Sequence, residues 1–369
     1  MKIGFVLDDG FDRLDGVQQY MLTNGEWLNK QGHEIHYLVG ETARDDIPNL
    51  HSLSKNLKVR FNKNRVSIPV RVYKKRILKL LSNEKFDVLH IQMPFSPMLS
   101  GYVVRNAPKH TAVVGTFHIA PYGKPEQYIN RVFALFLRNT LKRFDRVVSV
   151  SSVAQDFANN TFKIESVIIP CAIDITKYET KIIETSIQTV VFLGRLVERK
   201  GAMQFLRAIK QLTPGEDIKI LIGGKGPLEK ELKDFANKNN LNVRFSGFIE
   251  EIDKPRFLSK ADIAVFPSLG GESFGIVLIE AMAAGAGVVL AGNNPGYREV
   301  MSNNDNFLVD ANNEDEFARR LKKLLDDEQY RKKLHSVQEE LVRQYDISVT
   351  GPKLLEIYIQ ALHSRVSLR

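Results

Sequence analysis

Cysteine and tryptophan are almost missing from this chain of 369 residues, which has one of each. A lone thiol, Cys171, excludes an intramolecular disulfide and points to a reducing compartment. Long apolar runs are missing as well. None approaches the ~18–20 residues of a membrane-spanning helix. The opening MKIGFVLDDG meets acidic residues too early for a secretory leader, so a soluble or peripheral protein is expected. Acidic residues are scarce in one half only. Residues 1–170 hold 24 Lys and Arg against 15 Asp and Glu, whereas the remainder holds 28 of each. The whole net charge of +9 therefore lies in the first half. An anionic partner is expected there: a membrane surface, a phosphorylated ligand or a nucleic acid.

What the chain does have is alternation. Short β-rich apolar runs at 2–7, 34–39, 87–92, 111–117, 146–151 and 166–169 are separated by longer helical patterns such as 17–31. The pattern pauses in a polar stretch at about 174–187, which reads as a linker. It restarts with strands expected at 189–193, 218–222, 243–246, 262–266 and 287–291. Amphipathic helices at about 327–345 and 350–365 follow the last strand. Strands alternating with helices imply βαβ units and parallel sheets, hence an α/β protein. The length suits two domains, 1–172 and 173–349, with the last helix (350–369) packing back on the first.

Two strings carry chemistry. GGESFGIVLIEAMAAG, residues 270–285, places Glu272 in a loop after a strand and Glu280 inside the following helix, which is expected to begin near Ser273 to Gly275. Small residues at a helix start leave backbone N–H groups free to dock a diphosphate. Glu280 can accept hydrogen bonds from ribose hydroxyls, and Glu272 from hydroxyls of a sugar. The bland alternative is a solvated helix with incidental acids, which leaves most of the string unexplained. GRLVERKG, residues 194–201, follows the strand at 189–193 and presents Arg195, Arg199 and Lys200 on a loop. Such cations can neutralise a departing diphosphate without a metal. Alone, that loop could equally be a basic surface turn. GGKGP at 223–227 is a weaker glycine turn.

These strings, with DGVQQY (15–20), FDVLHIQMP (86–94) and TFH (116–118), resemble the retaining family-4 glycosyltransferases of GT-B fold over nearly the whole chain. Within that family the likeness is to bacterial phosphatidyl-myo-inositol mannosyltransferases. The resemblance implies two Rossmann-like lobes facing a central cleft and no cofactor beyond a nucleotide-sugar donor, GDP-mannose. It also implies a lipid or polyprenol-type acceptor and a place at the inner face of the cell membrane. Arg195 and Lys200, helped by Arg199, would hold the donor diphosphate. Glu272 would contact the sugar, the turn Ser273, Phe274, Gly275 and Ile276 the phosphates, and Glu280 the ribose. Ile249, Glu251 and Lys254 would frame the base, and Gly16 would let the N-terminal loop approach the donor. Gln18, Arg76 and His118 match acceptor-side positions. No Asp-x-Asp metal site of the family's kind is present, so no metal is expected. Aspartates 8, 9 and 12 read as loop residues.

The first half also carries basic amphipathic character. Residues 63–85 hold eight Lys and Arg against Glu84, interleaved with apolar residues, and read as a basic amphipathic helix suited to an anionic membrane interface. Residues 128–144 are a second candidate. Ordinary surface helices with apolar faces in the core are the plainer alternative. Nucleic-acid binding needs aromatics among the cations, and 63–85 offers only Tyr73. Three departures from the family pattern stand out: Asp15 where a glycine is usual, IPCA (169–172) for an IPNG-type turn, and Val70 and Arg71 in the acceptor loop. They bear on the loop geometry and the acceptor; the rival reading is a UDP-sugar-dependent transferase with a soluble phosphorylated acceptor.

Overall fold

The structure, a computed structural model, describes residues 1–61, 64–119, 134–180, 187–212 and 218–366. It separates into two compact units, Met1–Ala172 with Ile347–Arg369, and Ile173–Asp346.

The first unit is built on a parallel sheet of seven strands. In chain order they are β1 (Lys2–Leu7), β2 (Glu34–Val39), β3 (Leu50–Ser52), β6 (Val88–Ile91), β7 (Ala112–Phe117), β8 (Arg146–Ser149) and β9 (Val167–Ile168). Their spatial order is β3-β2-β1-β6-β7-β8-β9. The central strands are unbroken apolar runs because helices cover both faces of a parallel sheet. Val6, Leu38, Leu89, Ile91 and Val113 meet in its core.

The C-terminal helix, Ile347–Val366, belongs to this unit. Its Tyr358 hydroxyl hydrogen-bonds the buried His90 Nδ1 at 2.7 Å. Gly351 passes so close to Trp27 that a Cβ there would lie 2.7 Å from the indole. Residues 347–349, assigned by sequence to the second unit, are therefore part of the first.

Between β3 and β6 the chain departs from expectation. Residues 64–72 form not a helix but a strand, β5 (Asn64–Val72), in an antiparallel hairpin with β4 (Ser54–Phe61). Only Lys74–Glu84 is helical. Ile77 and Leu81 are buried in the core, each contributing about 1.5–3 kcal/mol by removal from water. The apolar side of this helix thus faces the protein, and its cations face solvent. Lys63 and residues 128–133 of the two basic segments lie outside the described residues.

The second unit repeats the plan with six parallel strands. These are β10 (Gln188–Leu193), β11 (Ile218–Gly223), β12 (Val243–Gly247), β13 (Ile263–Phe266), β14 (Val288–Gly292) and β15 (Leu308–Val309). Their order is β12-β11-β10-β13-β14-β15. The carboxyl ends of β10 and β13 feed the two motif loops, which is where parallel α/β sheets place ligands.

Candidate active site

The loop after β13 runs through Gly270, Gly271 and Glu272 into the helix Ile276–Ala283. Gly275 precedes that helix at φ 120°, a backbone that suits glycine, and a Cβ there would stand 2.4 Å from the Tyr297 ring. The helix thus starts at Ile276. Opposite, β10 leads into the turn Glu198–Lys200, closed by Gly201 at φ 74°. A Cβ on Gly201 would lie 2.0 Å from the Pro267 carbonyl, so glycine lets the two loops meet.

Their meeting point is Glu272. Its Oε1 accepts from Lys200 Nζ at 2.8 Å, from Ser268 Oγ at 2.7 Å and from Arg199 Nη1. Arg199 also donates to the Gly270 carbonyl at 3.2 Å, so this guanidinium holds the glycine loop as well as the carboxylate. Phe274 is buried edge-on to Tyr345, which leaves only its backbone for a ligand.

Burial works to raise the Glu272 pKa, but Lys200 and Arg199 overcome it and hold the carboxyl below its ordinary range. Glu272 is therefore ionised at neutral pH. Its stabilising pairing is present above its unfolded pKa and is lost as pH falls through the lower folded value. Lys200 shifts the other way: burial first, then Arg199 and Arg195, lower its ammonium pKa, while Glu272 opposes the shift. Because an ammonium loses its proton as pH rises, the alkaline limb of kcat/KM is expected below the ordinary lysine value of 10.5. Glu272→Gln removes the opposing anion, so the limb should move lower still, read from residual turnover or from nucleotide affinity. A limb at free-lysine pH, or one unmoved by Glu272→Gln, contradicts this assignment.

A second cluster lies deeper in the same unit. Glu280 is 1% exposed and accepts from Lys254 Nζ at 3.1 Å and from Tyr178 Oη at 3.0 Å. Lys254 also pairs with Glu251 at 2.8 Å. Burial lowers the Lys254 pKa, but Glu280 and Glu251 outweigh it and hold the ammonium above its usual value. Ile249 follows β12 and packs over Gly223, where a Cβ would meet its Cγ1 at 2.9 Å. The structure thus brings Glu251, Lys254 and Glu280 together. It adds Tyr178, which lies in the stretch read as a linker. Nothing near Tyr178 in sequence signals this, since its partner is 102 residues away.

In the first unit, Gly16 opens the helix Gly16–Lys30. Asp15 before it takes φ −90° and ψ 178°, an extended backbone any residue adopts, so the departure there needs no glycine. No residue of 169–172 has positive φ, and Cys171 is buried with its thiol pushed up to about 12 by that burial. Gln18 is buried and donates to the Gly10 carbonyl at 3.0 Å. His118 Nε2 hydrogen-bonds Gln92 Oε1 at 2.8 Å, with the Tyr20 ring edge-on at 4.8 Å. Burial lowers the His118 pKa to about 3, so the ring is neutral at physiological pH. Arg76 is on the exposed face of the Lys74–Glu84 helix, its guanidinium 4.9 Å from the Tyr73 ring centre. Asp8 is more than a loop residue. It is buried and accepts from the Ser100 N–H at 2.7 Å and from the Ser96 hydroxyl, anchoring the start of the helix Leu99–Asn106.

The exposed surface beside Arg76 is both basic and apolar. Lys74, Lys75 and Lys79 are exposed on the helix with Leu78. On the hairpin, Leu57 pairs with Ile68, and Leu57, Ile68 and Val70 are all exposed. Farther along, the helical residues 134–141 bury Leu137 and Leu141 but leave Leu135 and Phe136 73% and 82% exposed. Among the described residues no helix is long and apolar enough to cross a membrane.

Comparison with known proteins accords with this arrangement. The family model "Glycosyltransferase Family 4" matches residues 14–177, and "Glycosyl transferases group 1" matches 177–340. The chain is 32% identical to a phosphatidyl-myo-inositol mannosyltransferase of Mycolicibacterium smegmatis, over 97% of this chain and 93% of that one. It is 29% identical to that of Mycobacterium leprae, over 97% and 96%. A glycosyltransferase structure from Rickettsia africae shares the fold with a TM-score of 0.77, covering 98% of this chain and 99% of that one at 18% identity. With both family domains in order and a relative above 30% identity along its length, the chain belongs to the family-4, group-1 glycosyltransferases of GT-B fold and is a hexosyltransferase.

Proposed function

We propose that this enzyme moves mannose from GDP-mannose onto a lipid-linked acceptor such as phosphatidylinositol, with retention of the α configuration. The observation that carries the reading is the likeness, along nearly the whole chain, to phosphatidyl-myo-inositol mannosyltransferases, joined to the cation–carboxylate cluster at Glu272.

That cluster suits a donor diphosphate. Arg195, Arg199 and Lys200 set positive charge beside Glu272 where a diphosphate would bring negative charge. Glu272, kept ionised, accepts sugar hydroxyls. Glu280, held by Lys254 and Tyr178, accepts ribose hydroxyls, while the first turn of the Ile276–Ala283 helix offers backbone N–H groups to phosphate. Chemistry follows from where charge grows. As the glycosidic bond breaks, negative charge builds on the leaving diphosphate beside Lys200 and Arg195. The acceptor hydroxyl attacks the short-lived oxocarbenium-like centre from the face the diphosphate leaves, and the diphosphate takes the hydroxyl proton. Gln18, Arg76 and neutral His118 stand on the acceptor side, His118 as a hydrogen-bond partner. The exposed lysines, with Leu57, Ile68, Val70 and Leu78, favour docking on an anionic bilayer.

A donor screen tests the chemistry. GDP-mannose should bind more tightly and hydrolyse faster than UDP-glucose or UDP-N-acetylglucosamine, and excess EDTA should leave turnover largely intact. Preference for a UDP-sugar removes mannose from the proposal. Loss of activity in EDTA, restored by Mg²⁺ or Mn²⁺, removes the metal-free assignment.

A further inference from the structure

The second unit holds a concavity that the donor site does not explain. A cavity of about 590 Å³ lies over one face of its sheet, lined by β10, β11 and β12 and by residues 248–260. Lys219, Arg244, Arg256 and Lys260 line it, against Asp253 as the single acid. Among the described residues none of these four cations is in an ion pair. Their charges do reach one another. Burial lowers the Lys260 pKa, and Arg256, Arg244 and Lys219 lower it further, with Asp253 opposing. Between the cations the wall is apolar: Leu221 and Phe257 are buried, and the Phe248 ring is 52% exposed.

Strand register sets Thr189, Lys219 and Arg244 apart from the Glu272 cluster. Thr189 pairs with Lys219, and each is the second residue of its strand, as is Arg244 in β12, so all three lie near the amino ends of β10, β11 and β12. The motif loops leave the carboxyl ends. Lys219 lies four residues from the end of β11, roughly 13 Å at the usual rise per strand residue. Ile249, which also lines the cavity, is the one residue shared with the proposed base position.

Four cations gathered about a single acid repel one another, and an anion seated among them reverses that cost. Arginine matches phosphate oxygens bidentately, and a half-exposed aromatic ring offers a surface to a flat or hydrocarbon body. We propose that this groove is a second anion site, which takes a phosphate-bearing ligand whose organic part lies on Phe248 and Leu221. The phosphate comes from a free phosphoester or from a lipid headgroup. The site is separate from the donor diphosphate site, and its occupancy does not depend on the donor being GDP-mannose.

The native tryptophan, Trp27, is in the first unit, so Phe248→Trp places a reporter in the groove of the full-length protein. Tripolyphosphate is the probe for a free phosphoester, and phosphatidylglycerol vesicles are the probe for a headgroup. Emission should change saturably with one of them, which identifies the source, and the affinity should fall with added salt. Adding Arg244→Gln with Arg256→Gln should weaken binding at least tenfold while the thermal melt and GDP affinity stay near those of the parent. Adding Lys200→Ala instead should leave the response intact. No response to either probe overturns the proposal. So does a response that survives loss of Arg244 and Arg256 but disappears with Lys200→Ala, which would report the donor site alone.

Discussion

Lys200→Ala should lower kcat by a factor on the order of 10²–10³, about 3–4 kcal/mol of lost transition-state stabilisation. The reason is placement. Lys200 is held on a rigid turn by Gly201, is shielded from solvent, and sits 2.8 Å from the carboxylate assigned to the sugar. A cation fixed where charge develops acts without reorganising, and in a shielded site its field is weakly screened. GDP affinity should fall less than kcat, because Arg195 and the helix turn still hold the ground-state diphosphate. The fold should survive, since Glu272 keeps Arg199 and Ser268 as partners. Steady-state kinetics with a thermal melt make the check. Turnover within a few-fold of wild type would remove Lys200 from the site.

The second large effect concerns the membrane. Near an anionic surface each Lys or Arg contributes about 1 kcal/mol, screened over a Debye length of roughly 8–10 Å. Replacing Lys74, Lys75 and Lys79 with Gln removes about 3 kcal/mol, on the order of a hundredfold in vesicle affinity. The variant spares Arg76, which is proposed to contact the acceptor. All three lysines are exposed, while Ile77 and Leu81 anchor the helix, so the fold should not change. Co-sedimentation should show wild type on anionic vesicles at low salt, less with added salt, and little on neutral lipid. Donor binding should be unaffected. Failure of wild type to bind anionic vesicles at low salt would sink the membrane reading and favour a soluble phosphorylated acceptor.

The loop and helix that carry Glu272 and Glu280 were readable in sequence because their signals are local. Glycine at 270, 271 and 275 announces a loop leading into a helix start, and the 3.6-residue pattern after it fixes where Glu280 falls. The long parallel strands were readable because burial on both faces leaves continuous apolar runs. What escaped depends on partners distant in sequence. Tyr178 sits in a polar stretch and acquires its role only when folding brings Glu280 to it. Asp8 reads as a loop acid until Ser96 and Ser100 arrive from the segment after β6. The hairpin was missed for a different reason. NRVSIPVRV has the two-residue alternation of a strand, but its cations merged with those of KKRILKLL into one basic run, and Pro69 counts against a strand interior. The register shift between Lys55 and Asn56 accommodates that proline.

The central claim is hexosyl transfer from a nucleotide sugar to a lipid, and one measurement meets it directly. Enzyme is incubated with GDP-[¹⁴C]mannose and anionic vesicles containing phosphatidylinositol, and label is followed into the organic phase. The account predicts an α-linked mannolipid, formed by wild type and reduced on the order of 10²–10³-fold by Lys200→Ala. Label that stays wholly in the aqueous phase, while a UDP-sugar and a soluble phosphorylated acceptor yield product, would contradict it.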